Sequence, residues 1–167
     1  SYSNAALHLF QTIGFKTIMT DREYVLLYKK SVKSELTSLK LNDSSSNLYL
    51  AEGWGGVEPT GRWVIGNKAR IFFKVKEMYP IEVKINAHSL SSNQKVIVYL
   101  NDKRVSHFIV NQEPHLYTFT INSYKVKELN DLVFTFSKTT QPSRIIKNAK
   151  DERHLAVFFS QIAFKKK

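Results

Sequence analysis

The side chains best suited to chemistry fall in two short clusters. The first is Glu52-Gly53-Trp54-Gly55-Gly56-Val57-Glu58-Pro59-Thr60-Gly61-Arg62-Trp63, which holds four of the six glycines and both tryptophans. Glycine at this density lets a backbone take positive φ or pass close to a neighbour. Trp54, flanked by Gly53 and Gly55, could offer an indole face for a sugar ring, with Glu58 and Arg62 bonding its hydroxyls. The structural alternative is that a tryptophan at a strand start belongs to the core, and Trp63, directly before Val64-Ile65, fits that reading better. Glu58 and Arg62, four apart across Pro59 and Gly61, are expected to meet and lock the turn. The second cluster, Asp151-Glu152-Arg153-His154, opens the last strand pattern and is expected to reach back to the tryptophan loop.

Hydrolysis of a glycosidic bond needs two facing carboxyl groups. Glu58 and Asp151 are the only pair to propose, and an arginine beside each would hold it ionised, whereas a general acid needs a raised pKa. No catalytic residue is therefore assigned. The five histidines, His8, His88, His107, His115 and His154, show no metal-ligand spacing. Thiolate sites and disulfides are ruled out by the absence of cysteine. No phosphate loop or nucleophile elbow is present, so no cofactor is expected.

The net charge of +11 draws the chain toward polyanions in general. Its lysines are spread out except for Lys165-Lys166-Lys167, which predicts a solvated surface rather than a nucleic-acid footprint. Anionic membrane headgroups remain an alternative partner. No apolar run approaches the roughly 20 residues that cross a bilayer.

The elements that would position these clusters are mostly strands. Ser3 can cap a helix over Asn4–Ile13, followed by strands at Phe15–Ile18 and Tyr24–Tyr28 around an Asp21-Arg22 turn. This predicts a small α/β appendage over residues 1–30. Residues 31–47, rich in serine and asparagine, read as a linker or an edge strand using Leu36, Leu39 and Leu41. From residue 48 to 167 strands are expected at Arg62–Ile65, Ala69–Val75, Ile81–Ala87, Lys95–Leu100, Arg104–Val110, His115–Ile121, Leu132–Ser137 and His154–Phe164. Alternation such as Ile81-Glu82-Val83-Lys84-Ile85 gives each strand one buried and one wet face. Asn101-Asp102 is a hairpin turn candidate. Many short antiparallel strands without intervening helices predict a mainly β protein, an antiparallel β-sandwich of jelly-roll type.

The motif Gly53-Trp54-Gly55-x-x-Glu58-Pro59-x-Gly61-Arg62-Trp63, the partner stretch Pro142-Ser143 through Asp151-x-Arg153-x-Leu155-Ala156-Val157, and the hairpin Val96–Val105 together resemble a known family. They are similar to the C-terminal β-sandwich, like a carbohydrate-binding module, of bacterial polytopic membrane glycosyltransferases and related envelope polysaccharide proteins. Asp102 stands where glycine is common in that hairpin. Leu9–Lys30 is similar to the end of the extracytoplasmic region of such transferases. The resemblance implies a fragment of a larger protein, extracytoplasmic and tethered to the cytoplasmic membrane. Its implied partners are a glycan or lipid-linked sugar and the membrane-embedded remainder. A non-catalytic recognition or accessory role follows, with Trp54, Glu58, Arg62, Trp63, Asp151 and Arg153 as the expected ligand-binding set. The alternatives are a structural or protein-interaction sandwich and a basic module for anionic membranes.

Overall fold

The computed structural model describes residues 16–20, 23–27 and 37–167. The chain divides into two units, Ser1–Glu35 and Leu36–Lys167. In the first, β1 (Lys16–Thr20) and β2 (Glu23–Leu27) pair antiparallel, close to the two expected strands. The expected helix at Asn4–Ile13 lies outside the described residues.

The second unit is a two-sheet antiparallel sandwich. Its strands are β3 (Ser38–Lys40), β4 (Arg62–Ile65), β5 (Lys68–Lys74), β6 (Ile81–His88), β7 (Gln94–Leu100), β8 (Lys103–Val110), β9 (His115–Ile121), β10 (Leu129–Phe136) and β11 (Leu155–Lys166). One sheet has the order β5-β10-β7-β8, and the other β3-β11-β6-β9 with β4 also paired to β11. From β4 onward the chain steps between sheets at every connection except the β7–β8 hairpin and the connections from β8 on repeat the pattern in reverse order of pairing. That connectivity is a jelly roll.

The strands form where the sequence alternates. Ile81, Val83, Ile85 and Ala87 of β6 point into the core while Glu82, Lys84 and Asn86 point away. Facing them are Val96, Val98 and Leu100 of β7 and Leu132, Phe134 and Phe136 of β10. Asn101 and Asp102 both adopt positive φ (50° and 67°), as a tight hairpin turn with the twist of its strands demands. A polar knot hides the start of β10, which begins three residues before the expected Leu132. Asn130 is buried, its amide oxygen accepting from the Lys127 N–H at 2.9 Å and its amide nitrogen donating to the Lys127 carbonyl.

Residues 37–47 fold with the sandwich. Leu39 and Leu41 are buried, and Ser38–Lys40 pairs with Gln161–Ala163 at the edge of β11. Asp43 caps a 3₁₀ turn over Ser44–Leu48, its carboxylate accepting from the Ser45 N–H at 2.8 Å. The serine-rich composition thus serves a cap and a turn.

β11 organises the site region. Its first half pairs with β4 and its second half with β3 along one edge, while β6 runs along the other. Register shifts between Leu155 and Phe158 against β4, and between Phe159 and Gln161 against β6, mark bulges. Around these, both faces of Leu155–Phe159 are buried: Ala156, Val157 and Phe159 in the main core, Leu155 and Phe158 in a second cluster with Trp63.

Candidate functional site

The glycine-rich segment is an irregular hairpin with β4. The Ile65 N–H donates to the Gly53 carbonyl at 2.8 Å, and the Gly55 N–H donates to the Trp63 carbonyl at 2.9 Å. Glu58-Pro59-Thr60-Gly61 closes it, the Glu58 N–H bonding the Gly61 carbonyl at 2.9 Å. Proline second and glycine fourth suit such a turn. Two glycines are obligatory here. Gly53 has φ +85°, and a Cβ on it would fall onto the Lys68 carbonyl oxygen. On Gly61 a Cβ would meet the Phe159 carbonyl oxygen and the Phe158 ring.

These constraints aim the expected ligand-binding residues differently from one another. Trp54 is half-buried against the core, its indole N–H donating to the Arg70 carbonyl at 2.9 Å and its ring edge-on to Phe159 at 5.4 Å. Trp63 is 9% exposed and faces away from the main core. It forms a row across β4, β11 and β6 with Phe158 and His88, at ring separations of 5.2 Å and 5.5 Å from Trp63. Register pairs Phe158 with both Trp63 and His88, so one row of the sheet's outer face is aromatic. Desolvation among these rings pushes the His88 imidazole pKa below its ordinary value, against an opposing pull from Glu113.

The expected Glu58–Arg62 pair does not form. Arg62 is 3% exposed and turns inward at the junction where β3 and β4 succeed each other along β11. Its Nε donates to the Leu41 carbonyl at 2.9 Å, and its two terminal nitrogens reach the Gly55 and Asp43 carbonyls at 3.4 Å. A guanidinium carries five donors in a rigid fork, and here it ties β4 to the 41–43 stretch and to Gly55 of the facing segment. Burial pushes its pKa down from the ordinary value.

Glu58 pairs instead with Arg153, Nη2 to Oε1 at 3.3 Å. Arg153 also bonds both Asp151 oxygens, with Nε to each at 3.0 Å and a further Nη2 contact at 2.6 Å. The loop before β11 therefore does reach back to the tryptophan loop. The result is a carboxylate–guanidinium–carboxylate row with its side chains 30–41% exposed. Bonds from Arg153 hold the Asp151 carboxyl below the usual carboxylate range, and the same bonds raise the Arg153 pKa. Glu58, Asp151 and Arg153 all stand out in the sequence, but which of them pair depends on the way Gly61 sends the chain into β4.

Among the described residues no group of three or more His, Asp or Glu could hold a metal. No helix of the described residues is long and apolar enough to cross a membrane.

No protein-family model matches the chain. No curated protein matches it either. Solved structures do resemble it. A carbohydrate-binding module CBM36 in complex with calcium and xylotriose has a TM-score of 0.49 at 11% identity, covering 78% of this chain and 100% of the other. The CBM36-1 domain of a multidomain xylanase from the hindgut metagenome of Trinervitermes trinervoides has a TM-score of 0.48 at 10% identity, with coverages of 70% and 88%. The C-terminal CBM6 of LamC, a marine laminarinase from Zobellia galactanivorans, has a TM-score of 0.44 at 11% identity, with coverages of 80% and 94%. At such identities no residue role passes from those proteins to this chain.

Proposed function

We propose that the sandwich is a non-catalytic glycan-recognition module. In this reading it serves as an accessory domain, outside the cytoplasmic membrane, of a cell-envelope membrane glycosyltransferase whose chemistry resides in the membrane-embedded remainder. The observation that carries the glycan part is the Asp151–Arg153–Glu58 row. Its three groups are partly exposed and already held in place by one another, so little ordering remains when a ligand arrives. Carboxylate and guanidinium edges match the vicinal hydroxyls of a sugar ring in pairs. Because both acids share one cation, and Asp151 is kept ionised by it, the row is suited to gripping a sugar and ill suited to protonating a leaving group. The transferase context is supported by the sequence motifs alone.

The test is a glycan array of envelope polysaccharides and lipid-linked sugars, probed with the whole chain and with Arg153→Ala. Retention of a defined glycan class that Arg153→Ala abolishes supports the reading. Silence across the array by a folded protein counts against it. A scaffold role is favoured by a separate observation: the polar atoms of Trp54 and Arg62 are spent on backbone carbonyls. Under that reading Glu58→Ala and Arg153→Ala lower the melting temperature and there is no ligand affinity to lose.

A further inference from the structure

The end of the sandwich opposite the Arg153 loop has a composition the glycan reading does not use. The inter-sheet connections 75–80 and 122–128, the 101–104 hairpin and the last residues of β11 all meet there. Several contacts hold them together. The Val75 N–H bonds the Glu128 carbonyl, the Lys167 N–H bonds the Pro80 carbonyl, and the Asn101 amide bonds the Lys125 carbonyl, at 3.0–3.1 Å. Lys125 Nζ donates to the Arg104 carbonyl at 3.1 Å.

Two features coincide on this end. It carries exposed cations, namely Lys76, Lys103, Arg104, Lys127 and the Lys165-Lys166-Lys167 run. Of its acids, Glu77 is tied to Lys166 at 3.5 Å, and Asp102 and Glu128 are exposed, so the cations at this end outnumber the acids. It also carries the two most exposed large apolar side chains among the described residues, Tyr124 at 74% and Met78 at 67%. Each sits at the tip of one of the two connections. A soluble polyanion engages the lysines but offers no apolar phase in which an exposed methionine tip can be buried. Against an anionic bilayer both parts engage: the lysines meet the headgroups while methionine and tyrosine enter the interface.

We propose that this end docks on an anionic lipid bilayer surface, with Met78 and Tyr124 as the inserting tips and the surrounding lysines as the electrostatic contact. It is independent of the glycan row, which lies at the other end.

The experiment is co-sedimentation of the whole chain with vesicles of phosphatidylcholine, with or without phosphatidylglycerol. The chain is expected to pellet only with phosphatidylglycerol present, and to release as salt shortens the screening length. Each lysine near such a surface contributes roughly a five-fold factor in partitioning, so the combined Lys76→Gln, Lys103→Gln, Lys127→Gln variant is expected to lose about 100-fold. A Met78→Ser, Tyr124→Ser variant is expected to lose vesicle binding while its retention by soluble dextran sulfate is unchanged. Ile145→Ser, at the opposite end, is expected to change neither, and melting temperatures establish that all variants are folded. No pelleting with phosphatidylglycerol overturns the proposal. So does a Met78→Ser, Tyr124→Ser variant that binds vesicles like the parent, or loss of binding in Ile145→Ser.

Discussion

Replacing Arg62 with alanine removes the group that bonds the Leu41, Asp43 and Gly55 carbonyls at the junction of β3 and β4, and leaves the exposed 3.3 Å bond from Asn42 Nδ2 to the Pro59 carbonyl between the same stretches. The 2.9 Å bond to Leu41 is charge-assisted and buried, and bonds of that kind contribute about 1.5–3 kcal/mol. The two 3.4 Å contacts add less, but the buried Gly55 carbonyl is left without the guanidinium, and an orphaned buried group costs about 1–3 kcal/mol. Allowing for water entry at the Asp43 side, the expected loss is about 3 kcal/mol, a large share of the roughly 5–15 kcal/mol of a typical domain. Urea unfolding followed by tryptophan fluorescence suits the question, because Trp63 adjoins Arg62 in sequence and Trp54 adjoins Gly55, whose carbonyl Arg62 bonds. A midpoint shift of roughly 1.5 M at unchanged m is expected. Arg62→Lys should recover less than half of it, since an ammonium cannot serve three carbonyls with a planar fork. An Arg62→Ala loss below about 1 kcal/mol would refute the assignment of Arg62 as the tie between these segments.

Four further outcomes follow from the packing. Gly61→Ala drives a Cβ into the Phe159 carbonyl oxygen and the Phe158 ring, so thermal unfolding should report a loss of at least ~2 kcal/mol. Gln94 is fully buried and neither of its amide atoms meets a hydrogen-bonding group of the protein, so Gln94→Met should raise stability by about 1–2 kcal/mol in the same assay. Because the His88 pKa is depressed on folding, the unfolded chain binds the extra proton first. The stabilisation is therefore present above the ordinary imidazole pKa of about 6.5 and is lost as pH falls below it. Melting curves of the parent should show that acid-side decline, and His88→Phe should flatten it. Trp54→Phe keeps the ring contact with Phe159 but leaves the Arg70 carbonyl without the indole N–H, costing about 1 kcal/mol by urea titration.

Much of the sandwich was legible because a half-buried strand writes its two faces as alternating residue types. Ile81–His88 shows this, and the Asn101-Asp102 turn announced itself through residue types that tolerate positive φ. Legibility failed where side chains bond locally or where pairing is decided by register. Asn130 and Asp131 look like turn residues but lie inside β10, the Asn130 amide bonded to Lys127 of the preceding turn and the Asp131 carboxylate paired with Arg70 of β5 at 3.3 Å. Asp43 and the serines after it form a capped 3₁₀ turn, and Leu39 and Leu41 bring that stretch into the core. Glu58 and Arg62 are only four residues apart yet diverge, because Arg62 enters β4 on its inner face while Glu58 stays on the turn. The row Trp63–Phe158–His88 had no local signal at all. It exists only because β11 pairs with β4 on one side and β6 on the other.

The central functional claim rests on the exposed row Asp151–Arg153–Glu58, and titration calorimetry tests it most directly. A glycan selected from the array would be titrated into the parent chain, Arg153→Gln and Trp54→Phe. Loss of heat in Arg153→Gln, with affinity kept within about three-fold in Trp54→Phe, is the predicted result, a change of three-fold being under 1 kcal/mol. Unchanged affinity in a folded Arg153→Gln protein would contradict it.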